Sequence, residues 1–208
     1  METAMLITAF TTLFVVIDPI GLTPVFLALT QGLSPAQRRT IAFRACFTAI
    51  LILLAFAFLG DELLGFVGIS MPAFRIAGGV LLFLTALDML FERRQKRRKS
   101  QSEESEEDPN DDPSIFPLAI PLIAGPGAIA SIILLMSQSS GPLGIAAVLG
   151  VMLGVIGIVF VLFLLASPLE KLLGKTGITV ATRLLGMLLA ALSVQFILDG
   201  LASFGFVN

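Results

Sequence analysis

Six strongly apolar segments, separated by polar connections, constrain this chain more than any other feature of its sequence. At about 20 apolar residues per membrane crossing, they cover residues 5–30, 41–60, 72–92, 116–137, 143–166 and 179–204. Of the 208 residues, 56% are hydrophobic and only 13% are charged. That balance leaves too little polar surface for a water-soluble globule. We therefore predict an all-α membrane protein with six transmembrane helices.

Prolines and glycines interrupt the first and fourth of these segments. Asp18 is followed by Pro19 and Gly21, and Gly125-Pro126-Gly127 lies within the fourth segment. A proline inside a helix has no N–H and clashes with the carbonyl four residues earlier. Within a bilayer, unpaired backbone is tolerated only where it is buried in protein or lines a wet cavity. We therefore predict discontinuous first and fourth helices that share one midplane site, the alternative being kinks that serve only packing.

The second half of the chain repeats landmarks of the first half. Three pairs of residues share one register: Arg75 with Arg183, Gly78 with Gly186, and Thr85 with Ser193. Two halves of three spans each enter the membrane from opposite sides, which makes the repeat an inverted one. We expect one membrane domain, with three-helix repeats at 1–92 and 114–208. Between them, residues 93–113 form a charged, disordered cytoplasmic linker.

Lys and Arg residues, 13 in all, concentrate in three connections that fall on one side of a six-span chain. These are the first connection, the basic run at 93–99, and the fifth connection with Lys171 and Lys175. The positive-inside rule then places both termini outside the cytoplasm. We interpret the basic run as a topology determinant and solvated tether, with a regulatory or lipid-binding role as the alternative.

The residue types that the chain lacks narrow its chemistry. It contains no His and a single Cys, Cys46. A zinc ligand set, a Cys–His nucleophile, a disulfide and an imidazole relay are therefore excluded. No catalytic constellation is recognisable, so we predict no enzyme, no metal, no cofactor and no nucleic-acid partner.

Asp18 is the most informative single side chain. It lies about 13 residues into the first span, or roughly 20 Å at helical rise, where a carboxylate is costly and suggests function. It would take up a proton or contribute to cation binding. The alternative is an N-cap, because Asp followed by Pro is typical of a helix start. Asp88, near a span end, needs only interfacial solvation.

Five other polar side chains are candidates for coupling or gating: Arg75, Arg183, Thr85, Ser193 and Gln195. The two arginines begin the third and sixth spans, where a gate or ion pair competes with simple snorkelling to the interface. The other three lie inside spans and would line the cavity. For Thr and Ser, hydrogen bonding back to a helix carbonyl is the default.

Broken helices present two kinds of charged end. A half-helix N-terminus offers free N–H groups and suits a carboxylate, whereas a C-terminus offers free carbonyls and suits an ammonium group. Glycines such as Gly21, Gly125 and Gly127 allow main chain to approach a ligand closely. The sequence therefore favours a small zwitterion, such as an amino acid, as substrate.

Three motifs resemble one known family. They are the run Phe14–Gly21, the run Phe74–Gly79, and Pro117–Pro121 followed by Gly125–Ile129. They are similar to the MarC family, which includes small neutral amino acid transporters. The resemblance implies a six-span inverted-repeat secondary transporter of glycine, alanine and similar substrates, working by alternating access, coupled to protons and located in a bacterial inner membrane. Many members have Asn where this chain has Leu22, so no polar contact is expected there.

The resulting substrate-binding candidates come from the two breaks: Asp18, Pro19, Ile20, Gly21, Thr23, Gly125, Pro126 and Gly127. The alternatives are an ion channel or exchanger that uses Asp18, an exporter of another small metabolite, and a membrane scaffold that transports nothing. Neither the direction of transport nor the oligomeric state is encoded in these residues.

Overall fold

The computed structural model describes residues 2–94, 97–98 and 112–204, and all regular structure in those ranges is helical. The helical segments, in order, are α1 (Glu2–Ile17), α2 (Pro19–Leu29), α3 (Pro35–Val67), α4 (Met71–Leu90), α5 (Ser114–Ile123), α6 (Pro126–Gln138), α7 (Gly141–Leu164) and α8 (Ala166–Ala202). The prediction of an all-α chain is confirmed for these residues.

Five of the helical stretches are long and apolar enough to cross a membrane. They are Ala4–Leu29, Pro35–Val67, Met71–Leu90, Gly141–Leu164 and Ala166–Ala202. Helices α5 and α6 form a bent pair that meets at 55° and provides a sixth span if the pair is counted as one. The chain is thus a multi-pass membrane protein with five to six candidate spans among the described residues.

Helix α3 is longer than the sequence pattern predicts. Ser34 caps its start in a capping box with Gln37, and Pro35 is the first helical residue. The predicted span ends at residue 60, whereas the helix continues to Val67 and stops at Gly68 in the left-handed conformation, φ 81°. Exposed charges do not end a helix, whereas a left-handed glycine does.

Helices α5 and α8 are irregular. In α5, Phe116 and Ile120 are extended, and each is joined by a cis peptide bond to the proline that follows it. In α8, Gly174 leaves the helical conformation, φ 61° and ψ 177°. The expected fifth connection is therefore mostly helical, and Gly174 turns the chain within it.

Helices from the two halves of the chain pack against each other. Helix α4 lies antiparallel to α8, so that Gly79 approaches the carbonyl oxygen of Ser193 and Gly186 approaches that of Ala86. Helices α1 and α2 pack on α7, while α3 packs on α5 and α6. Asp18 is buried in this packing, and Gly127, just after the interruption at 124–126, lies against Val16 of α1.

Candidate functional site

The first interruption is a single residue, Asp18, in the left-handed conformation with φ 56°. Helical hydrogen bonds continue on both sides of it, from Asp18 N to Phe14 O at 2.9 Å and from Leu22 N to Asp18 O at 3.0 Å. Left-handed backbone is uncommon for a residue with a side chain. Because Ala4–Leu29 still forms one apolar span, two separate half-helices at this position stay a prediction.

The carboxylate of Asp18 is buried and has two partners. Its Oδ1 accepts a hydrogen bond from Gly21 N at 3.1 Å, which makes Asp18 the N-cap of α2. Its Oδ2 forms an ion pair with Arg98 Nη1 at 3.2 Å. A Cβ on Gly21 would stand only 2.1 Å from Oδ2, so this arrangement requires glycine there. The N-cap role is therefore present, and an ion pair is added to it.

Two arginines from the segment after α4 contact the end of α1. Arg98 Nη2 donates to Ile17 O at 3.1 Å, and Arg94 Nη2 donates to Val16 O. Only 4% of the Arg98 side chain is exposed. The expected solvated tether is therefore wrong for Arg94 and Arg98, which fill the gap left by unpaired carbonyls. Residues 95–96 and 99–111 of that linker lie outside the described residues.

The second interruption separates α5 from α6. Ala124 N closes the last turn of α5 on Ala119 O at 2.8 Å, and Gly125 is extended with ψ 170°. Pro126 opens α6, whose N-terminus has no side-chain cap. A Cβ on Gly125 would lie 2.4 Å from Pro121 O, so the tight approach of the two helices depends on glycine. The free N–H groups of the first turn of α6 give this end a partial positive charge.

A cavity of about 270 Å³ lies between the two interruptions. It is lined by Val16, Thr85, Asp88, Arg94, Arg97, Arg98, Pro121, Leu122, Ile123, Gly125, Pro126, Gly127 and Ala128. The two interruptions nearly touch at its wall, because a Cβ on Gly127 would lie 3.1 Å from Val16 Cγ1. Backbone from both halves of the chain thus borders one space.

The predicted substrate-binding residues divide into two groups. Gly125, Pro126 and Gly127 line the cavity. The five from the first interruption do not line it: Asp18, Pro19, Ile20, Gly21 and Thr23. Arg98 both pairs with Asp18 and lines the cavity, so its guanidinium separates that carboxylate from the cavity.

The predicted coupling and gating residues are likewise divided. Thr85 lines the cavity, although its Oγ1 donates to Leu81 O at 2.9 Å. Ser193 is buried against Ala190 O, while Gln195 is exposed and donates to Asp199. Neither of these last two lines the cavity.

The two symmetric arginines also lie away from the cavity. Arg183 forms an ion pair with Glu92, which joins α8 to the residues just after α4. Arg75 is partly buried, and its Nε lacks a hydrogen-bond partner among the described residues. Arg183 thus has an ion pair at an exposed position, and its role in gating stays a prediction.

Four charged residues of the cavity are not in the predicted site: Asp88, Arg94, Arg97 and Arg98. Arg97 Nη2 forms an ion pair with Asp88 Oδ2 at 2.7 Å, although 66% of the Arg97 side chain is exposed. The spacing of the arginines in the sequence could have indicated that they face the cavity. Residues three and four positions apart share one helix face, so Arg94, Arg97 and Arg98 would face back toward the bundle if α4 continued past its apolar part.

The charge around the cavity is positive on balance. Three guanidinium groups face it, against the carboxylates of Asp88 and, behind Arg98, Asp18. The N-terminus of α6 adds to this positive field. Such a cavity favours an occupant that carries a carboxylate. Among the described residues, no three His, Cys, Asp or Glu side chains lie close enough to hold a metal ion.

Comparisons with known proteins agree with this architecture. The family model for MarC family integral membrane protein matches residues 3–204. The UPF0056 membrane protein of Archaeoglobus fulgidus is 40% identical over 195 residues, which cover 93% of this chain and 91% of that protein. UPF0056 membrane protein MJ1677 of Methanocaldococcus jannaschii is 37% identical, covering 97% of this chain and 98% of that protein.

A bacterial relative is similar over the same extent. The UPF0056 inner membrane protein YhgN of Escherichia coli K12 is 33% identical, covering 94% of this chain and 95% of its own length. No solved structure matches the chain. The names of these relatives state a membrane location and no activity. The resemblance carried by the three sequence motifs is thus confirmed over nearly the whole length, and the chain belongs to the MarC family of integral membrane proteins.

Proposed function

We propose that this protein is a secondary transporter of small neutral amino acids, such as glycine and alanine. The observation that carries the proposal is the cavity between the two chain interruptions, where the uncapped N-terminus of α6 faces a set of arginines. A substrate carboxylate would bind at this end, held by the N–H groups of Gly127 and Ala128. Helix N-termini hold carboxylates in this way without a dedicated side chain.

The size of the cavity supports a small substrate. Ligand pockets for drug-sized molecules have volumes of about 300–1,000 Å³, and this one, at about 270 Å³, falls below that range. Its wall at Val16, Leu122 and Ile123 is apolar, which suits a hydrogen or methyl side chain. Glycine and alanine therefore fit its chemistry better than charged or bulky amino acids.

The ammonium end of the substrate requires a carboxylate or free carbonyl groups. The two carboxylates beside the cavity are Asp18 and Asp88, and both are paired with arginines in this conformation. The carbonyls of Val16 and Ile17 add acceptors at the end of α1. We assign the ammonium group to this side of the cavity, opposite α6.

Alternating access would arise from two inverted three-helix repeats that rock against each other. The crosswise packing of the halves supports this proposal, because α1 and α2 pack on α7 as α6 packs on α3. With both termini outside the cytoplasm, the arginine segment then lies at the cytoplasmic end of α4. Coupling to protons through Asp18 or Asp88 belongs to the same proposal.

An ion channel or exchanger that uses Asp18 is less well supported. Asp18 does not line the cavity, and Arg98 covers its carboxylate. A selectivity carboxylate must face the permeating ion, whereas this one faces a guanidinium. The arrangement at Asp18 therefore favours a substrate that competes with Arg98 for the carboxylate, and it is less suited to a permeating ion.

The test is uptake of radiolabelled glycine and alanine into proteoliposomes that contain the purified protein. We expect saturable uptake that each of the two amino acids inhibits for the other. Arg93→Gln is a matched control, since Arg93 is exposed and does not line the cavity. Asp88→Asn should lower uptake, because it removes a carboxylate from the cavity wall.

Two results would contradict the proposal. One is that no small neutral amino acid is taken up or bound by protein whose cooperative thermal unfolding shows that it is folded. The other is an ionic current that amino acids leave unchanged, with a turnover far above that of a transporter.

A further inference from the structure

The end of α1 forms a compact binding site for a cation, and that site is occupied by the protein's own Arg98. Arg98 Nη1 lies 3.2 Å from Asp18 Oδ2, and Nη2 lies 3.1 Å from Ile17 O. Arg94 donates to the next carbonyl, that of Val16. Both side chains reach this position from the segment that follows α4, 80 residues further along the chain.

The acceptors that hold Arg98 suit any small cation with N–H donors. A carboxylate oxygen and a main-chain carbonyl oxygen are acceptors to which an alkylammonium group can donate, since it has three donors and no acceptor. Gly21 keeps the site open, because a Cβ there would lie 2.1 Å from Asp18 Oδ2 and 3.0 Å from Arg98 Nη1. The geometry does not require a guanidinium in particular.

The exchange of one cation for another keeps the buried carboxylate paired. Removing one partner of a buried ion pair is strongly unfavourable, because it leaves an uncompensated charge. If a substrate ammonium group replaced Arg98, Asp18 would stay paired throughout. Arg98 also lines the cavity, so it already borders the space through which such a cation would arrive.

We propose that Arg98 is a built-in competitor of the substrate's ammonium group, occupying a cation subsite formed by Asp18 and the carbonyl of Ile17 until the substrate displaces it. The identity of the displacing cation rests on the amino acid transport proposed above, whereas the subsite itself does not. The conformation described here is then the resting state. The apparent affinity for substrate is then the intrinsic affinity multiplied by the fraction of molecules in which Arg98 has left the subsite.

The experiment measures thermal unfolding of the detergent-purified protein at constant ionic strength with methylguanidinium, the group that Arg98→Ala removes. A ligand that binds only the folded protein raises the melting temperature in a saturable way. We expect such a rise for Arg98→Ala, whereas the wild-type protein and Arg93→Ala should need about tenfold more methylguanidinium for the same rise, because Arg98 occupies their subsite most of the time. The double variant Asp18→Asn/Arg98→Ala should lose the rise, because the carboxylate of the subsite is gone.

Glycine titrations of the same variants connect the subsite to transport. We expect Arg98→Ala to bind glycine about tenfold more tightly than wild type, as follows if Arg98 leaves the site in one molecule in ten. Arg93→Ala should bind glycine like wild type. Should Arg98→Ala not fold, Arg98→Lys replaces it, with a tighter glycine Kd expected because Lys cannot span Asp18 and Ile17 O as Arg does.

The outcomes separate the two proposals. A methylguanidinium response without binding of glycine or any other small neutral amino acid supports the cation subsite and overturns amino acid transport. Glycine binding that is equal in wild type, Arg98→Ala and Arg98→Lys overturns the competitor role and leaves the transport proposal standing. A methylguanidinium response that persists in Asp18→Asn/Arg98→Ala also overturns the subsite.

Discussion

Gly21 shows how one missing side chain permits a buried ion pair. The carboxylate of Asp18 caps α2 by accepting a hydrogen bond from Gly21 N. Arg98 Nη1 also lies close, 3.0 Å from where a Cβ on Gly21 would be. The Asp-Pro-x-Gly pattern predicts the cap from sequence alone, because Asp and Pro are favoured at the first helical positions. It does not predict the arginine, which comes from 80 residues away.

Gly21→Ala should therefore disrupt the site more than an ordinary glycine substitution. The added Cβ would clash with Asp18 Oδ2 at 2.1 Å, so the carboxylate must leave Arg98, at a cost of about 3–5 kcal/mol for a broken buried pair. The measurement is the free energy of unfolding in mixed detergent micelles. Gly154→Ala is the matched control, since a Cβ there meets nothing within 4 Å, and we expect it within about 1 kcal/mol of wild type. Equal effects of the two substitutions would contradict this prediction.

At the scale of helical elements, the second interruption was the more predictable of the two. Prolines and glycines near 125 predict a break, and α5 and α6 do meet there at 55°. The first interruption is smaller than expected, because a single left-handed residue bridges α1 and α2 without ending the span. A proline inside a helix removes one backbone hydrogen bond, but tertiary contacts decide whether the helix axis turns.

Gly127→Ala tests whether the closeness of the two interruptions matters for transport. Its Cβ would lie 3.1 Å from Val16 Cγ1 and 3.9 Å from Thr85 Oγ1, so the Val16 side chain at the cavity wall must shift by a few tenths of an ångström. A small displacement of groups that hold a substrate is enough to lower its rate of turnover. We expect glycine uptake to fall at least about tenfold while the melting temperature changes little. Unchanged uptake would indicate that this contact serves packing only, and Gly157→Ala, with nothing within 4 Å, provides the control.

For the whole molecule, the long contact between α4 and α8 joins the two halves of the chain. Glycines on both helices allow backbone to approach backbone, at Gly79 near Ser193 O and at Gly186 near Ala86 O. The sequence showed Gly186 as part of the repeat, paired with Gly78 next to Gly79. It did not show the contact of α4 with α8, because residues 100 or more positions apart meet only through the tertiary fold.

Gly79→Val should weaken this contact. A Cβ at this position would lie 2.8 Å from Ser193 O and 3.1 Å from Ile197 N, both backbone atoms that cannot move independently of α8. We expect a loss of about 1–3 kcal/mol in the free energy of unfolding, typical of overpacked interiors. Gly150→Val, on α7 with open space around it, is the control, and a similar loss in both variants would refute the explanation.

The proposed orientation of the chain can be tested with single cysteines, because the native Cys46 is buried. Ser140, the N-cap of α7, and Lys171, near the start of α8, are both exposed. With both termini outside the cytoplasm, Ser140→Cys should react with a membrane-impermeant maleimide on intact cells. Lys171→Cys should react only after the cells are opened. The reverse pattern would invert the topology and place the arginine segment outside.

The two interruptions differ in how far they redirect the chain. We therefore expect the two halves of the chain to differ in how much they move. Helices α1 and α2 form one apolar span across Asp18, whereas α5 and α6 are bent by 55° across Gly125. The angle between α5 and α6 can change through small rotations of the backbone dihedral angles at the existing break. Bending the first span would require new breaks in its helical hydrogen bonds. In the proposed transport cycle, we therefore expect motion to concentrate in α5 and α6, while the first span stays in place.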